Sequence, residues 1–129
     1  GTGSGYQAAI LAKLAKEVHT VERIPELAAR AKETLKRLEI KNVIVHTGDG
    51  SLGWPEAAPY DRIIVTAAAP AVPAELTSQL KQGGRLIIPV GECWSQMLEE
   101  WVRTDTSLEK RDVLPVVFVP LLGKKSWQE

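Results

Sequence analysis

Apolar positions change period several times along the chain, and the changes mark out its elements. From Tyr6 to Lys16, Ala8, Ala9, Leu11, Ala12 and Ala15 favour a helix, and Ile10 and Leu14 stand four apart on one face. Val18 to Val21 is β-branched and alternating, which predicts a strand ending at Glu22. Pro25 then opens ELAARAKETLKRL, where Leu27, Ala31, Leu35 and Leu38 recur at helical spacing and Glu33 and Arg37 stand one turn apart. Val43-Ile44-Val45 is a second short strand, and Thr47 to Pro59 reads as loop, with Trp54 packing it down. A third strand spans Ile63 to Thr66. A short helix over Pro73 to Leu80 is stopped by Gly83-Gly84, and RLIIPV is a fourth strand.

Up to Val90 helices and strands alternate, and the strands are short unbroken apolar runs. That pattern predicts an α/β fold, a mostly parallel sheet with helices on both faces. Beyond it the character changes. Met97 to Val102 and Val113 to Val119 read as two longer strands around polar Thr104 to Lys110, a C-terminal antiparallel hairpin on the sheet edge. No repeat or linker interrupts the chain, so residues 1–129 are expected to form a single domain.

Composition narrows the function. The 129 residues are 44% hydrophobic and 25% charged, as in an ordinary globular domain. Sixteen Lys plus Arg balance sixteen Asp plus Glu, so no net field draws the chain to nucleic acid or an anionic membrane. Trp94, Trp101 and Trp127 lack the basic patch that base stacking would need, and Lys124-Lys125 reads as a solvated tail. No apolar run approaches the ~20 residues of a bilayer span. The single cysteine, Cys93, fits a reducing compartment and is read as a small buried hydrophobe. His19 and His46 have no metal-ligand spacing, so no metal site is expected.

The candidate chemistry lies at strand ends. Gly1-Thr2-Gly3-Ser4-Gly5 sits where a strand would hand over to a helix, and glycines there let a ligand approach the main chain. Taken alone, the loop is also readable as a tight turn. Glu22, followed by Arg23, stands at the end of the next strand about 20 residues on, the place of a ribose-binding carboxylate in doubly wound sheets. The dinucleotide fingerprint G-x-G-x-x-G is broken: the third glycine comes one place early, and Tyr6 fills its slot, where bulk would hinder helix–strand packing. This favours S-adenosylmethionine, which has no pyrophosphate, over NAD. Asp49-Gly50, after the following strand, adds a carboxylate able to accept from an adenine amino group, though an ordinary Asp-Gly turn would look the same.

GTGSGYQAAILAKL, VERIPELAARAKETLKRL, GDGSLGWPEAAPYDRIIVTAAAP, LKQGGRLIIPVG and VLPVVFVPLLG closely resemble the protein-L-isoaspartate (D-aspartate) O-methyltransferase family nearly end to end. The resemblance implies a Rossmann-like S-adenosylmethionine-dependent methyltransferase that esterifies the free carboxylate of L-isoaspartyl residues in damaged proteins and peptides, a repair reaction of the cytoplasm. It also implies roles. Gly1, Gly3 and Ser4 would line the methionine side of the cofactor, and Glu22 with Arg23 the ribose. Asp49 and Gly50 would contact adenine. Thr66, Ala67 and Ala68 would border the acceptor, and the segment from Pro120 to Gly123, including Leu122, would cover the peptide.

Family members carry a segment ahead of the glycine loop, with the first, central strand and a serine regarded as the active-site residue. Its absence from this chain predicts open sheet edges, impaired activity and a possible homodimer through those edges. Two other readings stand beside the repair enzyme: an S-adenosylmethionine-dependent methyltransferase with another acceptor, and a catalytically inactive adenosine-binding domain.

Overall fold

A computed structural model describes residues 1–128. The chain forms two compact units, one over Gly1–Gly50 and one from Ser51 on.

The first unit holds helix α1 (Tyr6–Leu11), strand β1 (Val18–Glu22), helix α2 (Pro25–Arg37) and strand β2 (Val43–Thr47). β1 and β2 pair in parallel, Val18 opposite Val43 and Glu22 opposite Thr47. Proline at the first helical position pre-sets α2, and Ala28, Ala31 and Leu35 form its buried face. Leu38, expected on that face, is exposed because α2 ends at Arg37. Ala28 and Leu35 pack with Val45, and Ala9, Ile40 and Val43 close around them. α1 stops at Leu11, short of the predicted Lys16. The Asn42 side-chain amide donates to the carbonyls of Ala12 and Ala15 and so terminates the turns that follow it. His19 and His46 stack at a centroid distance of 5.2 Å, with Nδ1 and Nε2 2.9 Å apart. His19 Nε2 lies 2.6 Å from Glu17.

The second unit begins with two 3-10 turns, Gly50–Leu52 (starting at the boundary) and Pro55–Ala57. Strand β3 (Tyr60–Ile64), helix α3 (Ala74–Ser78) and strands β4 (Leu80–Glu92), β5 (Ser95–Arg103) and β6 (Leu108–Val116) follow. The sheet order is β3-β4-β5-β6; β3–β4 is parallel, and the other two pairings are antiparallel. The parallel crossover and the C-terminal antiparallel addition appear as expected, within a sheet of mixed pairing, but β6 starts at Leu108, inside the stretch read as connector, and ends at Val116, short of Val119. Gly83 and Gly84 do not stop the helix. They lie inside β4 at a register shift, where a Cβ on Gly84 would stand 2.7 Å from the Lys81 carbonyl oxygen and 3.0 Å from that of Tyr60. The core of this unit is Leu76, Leu80, Leu86 and Ile88 with Ala67, Ala69 and Leu121, backed by Trp101. β3 ends at Ile64, but its line continues. Val65 and Ala69 donate to the carbonyls of Ile87 and Pro89, and Gly91 donates to Ala69 O.

Two further expectations are corrected here. Cys93 is exposed, because the β4–β5 turn places it at a hairpin tip instead of in the core. Lys125 is no solvated tail: its ammonium pairs with Glu75 of α3 at 2.9 Å and its backbone N–H donates to the Ser51 hydroxyl at 3.1 Å. Among the described residues, no helix is long and apolar enough to cross a membrane, and no group of three or more His, Cys, Asp or Glu could hold a metal ion.

Candidate functional site

The first unit gathers Gly1, Gly3, Ser4, Glu22, Arg23, Asp49 and Gly50 around the ends of β1 and β2. Glu22 is the organiser. Its Oε2 accepts the N–H groups of Thr2 (2.8 Å) and Gly3 (2.9 Å), and its Oε1 accepts that of Ile24 (3.0 Å). Burial, which leaves the residue only 5% exposed, pushes the carboxyl pKa up. The amide bonds from Gly3, Ile24 and Thr2, together with the positive amino terminus, outweigh burial and hold it below the ordinary glutamate value. The carboxylate expected to face a ribose thus first folds the glycine loop onto β1. Thr2 and Thr20 hydroxyls 2.7 Å apart add a second tie. Gly48 N–H donates to the Glu22 carbonyl at 2.9 Å, which joins the exits of the two strands beside Asp49.

Glycine has two different uses in this loop. Gly5, at φ 86°, is the N-cap of α1 and is buried; a Cβ there would meet the Ala31 Cβ at 3.4 Å. The Ala31 contact would be of ordinary length, so it is the left-handed backbone that calls for glycine here, and Tyr6 points away with 75% exposure. Tyr6 therefore costs the packing nothing, contrary to the expectation that its bulk would hinder it. Gly3, at φ 56°, needs the left-handed region, yet a Cβ on it would touch nothing within 4 Å. A Cβ on Gly50 would likewise meet nothing within 4 Å. Main chain at Gly3 and Gly50 is thus bare towards open space, which is what close approach by a ligand requires. Ser4 is exposed and its hydroxyl accepts the Tyr6 N–H at 3.3 Å. Arg23 is exposed and Asp49 half-buried.

The acceptor-side candidates lie in the second unit. Thr66 is half-buried at the end of the β3 line. Ala67 and Ala68 are buried, and the main chain of Ala68 is committed: its N–H donates to Val119 O (2.7 Å) and its carbonyl accepts from Leu121 N–H (2.8 Å). Small side chains serve here to let this run sit between β4 and the segment around Pro120. Leu122 is half-buried and bridges to Trp127. Trp127 N–H donates to Leu121 O, and Gly123 N–H to Trp127 O.

Two residues of this unit escape sequence reasoning. Gln79 is buried, and its side-chain amide reads a loop backbone from both ends: Oε1 accepts Trp54 N–H at 2.9 Å and Nε2 donates to Leu52 O at 2.8 Å. Ser51 is fully buried beneath Lys125. A glutamine after an apolar helix and a serine after Asp-Gly carry no periodic signal, so nothing in the pattern singles them out.

A model of the family described as protein-L-isoaspartate(D-aspartate) O-methyltransferase matches residues 1–126. A protein-L-isoaspartate O-methyltransferase of Magnetococcus marinus is 54% identical over 129 residues, covering 99% of this chain and 57% of that protein. Among solved structures, a protein-L-isoaspartate O-methyltransferase superposes with a TM-score of 0.89 at 34% identity, over 98% of this chain and 41% of the other. A Plasmodium falciparum structure described as a protein-L-isoaspartate O-methyltransferase in complex with S-adenosyl-L-homocysteine gives 0.77 at 29%, over 95% and 63%. The chain spans less than two thirds of the length of the curated relatives it matches. Its fold is the Rossmann-like α/β fold of these methyltransferases. With the match running through the glycine loop, Glu22, Asp49 and the Thr66–Ala68 and Leu122 segments alike, the chain belongs to the protein-L-isoaspartate(D-aspartate) O-methyltransferase family.

Proposed function

We propose that this chain is the cofactor- and acceptor-binding part of an enzyme that transfers a methyl group from S-adenosylmethionine to the free carboxylate of L-isoaspartyl residues in damaged proteins and peptides. The observation that carries the reading is the bare main chain at Gly3 and Gly50 beside the Glu22-organised loop, within a stretch matched by the family over residues 1–126.

S-adenosylmethionine, when bound, supplies a methyl group already activated on a sulfonium. The chain's own residues then hold and orient. A carboxylate offers about four acceptor sites, and three loop amides use three of those on Glu22, which leaves one on Oε1 for a ribose hydroxyl. Gly1, Gly3 and Ser4 line the methionine side, Arg23 flanks the ribose, and Asp49 with Gly50 meets adenine. Thr66, Ala67, Ala68 and Leu122 border the acceptor. An isoaspartyl carboxyl, with a pKa near ~4, is ionised at neutral pH, so no general base is needed. Positioning alone contributes roughly 7–11 kcal/mol in well-oriented reactions.

Residues 1–129 are proposed to constitute one methyltransferase domain, acting in the cytoplasm. Homodimerisation through the open sheet edges is part of the proposal: β1 pairs with β2 alone and β3 with β4 alone, so each leaves one edge unpaired among the described residues. Light scattering showing a monomer at all concentrations would refute that part.

The function is tested by calorimetry with S-adenosylmethionine and with NAD, and by radiolabelled methyl transfer to paired isoaspartyl and aspartyl peptides. Weak binding of the first compound is expected, with impaired transfer that is confined to the isoaspartyl peptide. Transfer to the aspartyl peptide alone would favour another acceptor. Binding without transfer would favour an inactive adenosine-binding domain, and preference for NAD would overturn the cofactor assignment.

A further inference from the structure

We propose that Ser51 is a positioning residue for the acceptor: by holding the turn after Leu122 it fixes the segment that covers an isoaspartyl peptide. The inference rests on the acceptor role proposed above for Ala68 and Leu122. Ser51 has no solvent exposure, and its Oγ accepts the backbone N–H of Lys125 at 3.1 Å. Lys125 is held a second time, by the 2.9 Å ion pair from its Nζ to Glu75 on α3. Between this anchor and Ala68 the chain has little freedom. The Leu122–Trp127 bridge closes the turn, with Gly123 N–H on Trp127 O (3.0 Å) and Trp127 N–H on Leu121 O (3.1 Å). Leu121 is buried and donates to Ala68 O. The strap thus has two ends: Ala68 at one, Ser51 at the other, with Leu122 between them.

A buried hydroxyl serving a backbone amide is the more telling of the two anchors. The Lys125–Glu75 pair is solvated at the lysine end, where exposed ion pairs contribute little. The hydroxyl bond is part-buried, with its serine end wholly out of water, and losing that acceptor leaves the Lys125 amide without the partner that fixes it. Ser51 touches no reacting atom in this scheme. It acts through Leu121 and Leu122, by keeping the covering segment in one place before the peptide arrives.

The experiment compares the wild-type chain, Ser51→Ala and Lys125→Ala for affinity towards a synthetic hexapeptide with one L-isoaspartyl residue, its aspartyl counterpart, and S-adenosylhomocysteine. Circular dichroism melts are run in parallel. Ser51→Ala is expected to weaken the isoaspartyl peptide about tenfold, ~1.4 kcal/mol, while S-adenosylhomocysteine affinity stays within twofold. Lys125→Ala, which keeps the backbone N–H, is expected to weaken the peptide by only about twofold to threefold. Unchanged peptide affinity in Ser51→Ala would overturn the inference alone, and so would an equal fall for both ligands, because that is what a merely structural role produces. If Ser51→Ala fails to melt cooperatively, Lys125→Ala decides: a selective loss of peptide affinity supports the strap, and none overturns it. A wild-type chain that does not prefer the isoaspartyl peptide would overturn the acceptor reading itself, and the inference with it.

Discussion

Replacing Glu22 by glutamine separates the carboxylate's structural work from its bulk. Glu22→Gln keeps size and shape but offers one carbonyl oxygen where the carboxylate has two. Placed on Thr2 and Gly3, that oxygen leaves the new NH2 facing the Ile24 N–H, now 3.0 Å away, donor against donor. A stranded buried donor costs about 1–3 kcal/mol, and two charge-assisted bonds weakened to neutral ones cost about 1 kcal/mol each before relaxation. Local relaxation recovers part, so the expected loss is about 2–4 kcal/mol at pH 7. Hydrogen exchange reads it where it occurs: protection of the Thr2, Gly3 and Ile24 amides should fall by roughly 30- to 1000-fold, since 1.4 kcal/mol is tenfold. The pH dependence has a definite sign. The folded carboxyl sits below its unfolded value, so its contribution is present above the unfolded pKa, near ~4.3, and is lost as pH falls through the folded pKa. Wild type and Glu22→Gln should therefore differ most at neutral pH and converge as pH drops below about 4. Equal protection of the three amides at pH 7, or a gap that widens in acid, would refute this account of the loop.

Other substitutions probe the two uses of glycine and the core. Gly53→Ala should destabilise by about 3 kcal/mol or more, because the residue sits at φ 65° and its Cβ would stand 2.3 Å from Gln79 Oε1, breaking both loop hydrogen bonds; urea unfolding checks it, and Gln79→Leu should share much of the loss without adding to it. Gly3→Ala should cost only about 1–2 kcal/mol, for its left-handed backbone alone, while lowering S-adenosylhomocysteine affinity by at least tenfold in calorimetry. Ile88→Ala, in the fully buried core of β4, should lose about 2–5 kcal/mol by the same urea assay.

The order of elements was legible because each carries its own period: proline opening α2, apolar runs for β1 and β2, glycines at Gly1 to Gly5. What resisted was everything decided by a distant partner. α1 is short because Asn42, far along the chain, takes the carbonyls that follow it. Gly83-Gly84 looked like a helix stop, and only pairing with Tyr60 shows why glycine is needed there. The candidate site divides the same way. Glycines and acids at strand ends are visible as motifs, whereas the loop amides that occupy Glu22 depend on a fold-back across 19 or 20 residues that no local pattern encodes. Ser51 and Gln79 are ordinary polar letters until burial gives them meaning.

β4 joins two kinds of pairing along one strand of 13 residues. Towards β5 and β6 it belongs to a meander whose turns are short, Cys93-Trp94 and then residues 104–107. Towards β3 it needs a crossover through α3. Closing short hairpins loses little chain entropy, whereas the parallel contact pays for a longer loop first. Assembly of this unit is therefore expected to run from its C-terminal half backwards, with Leu98 and Trp101 showing higher φ-values than Ile63; the reverse ranking would mean that the crossover nucleates.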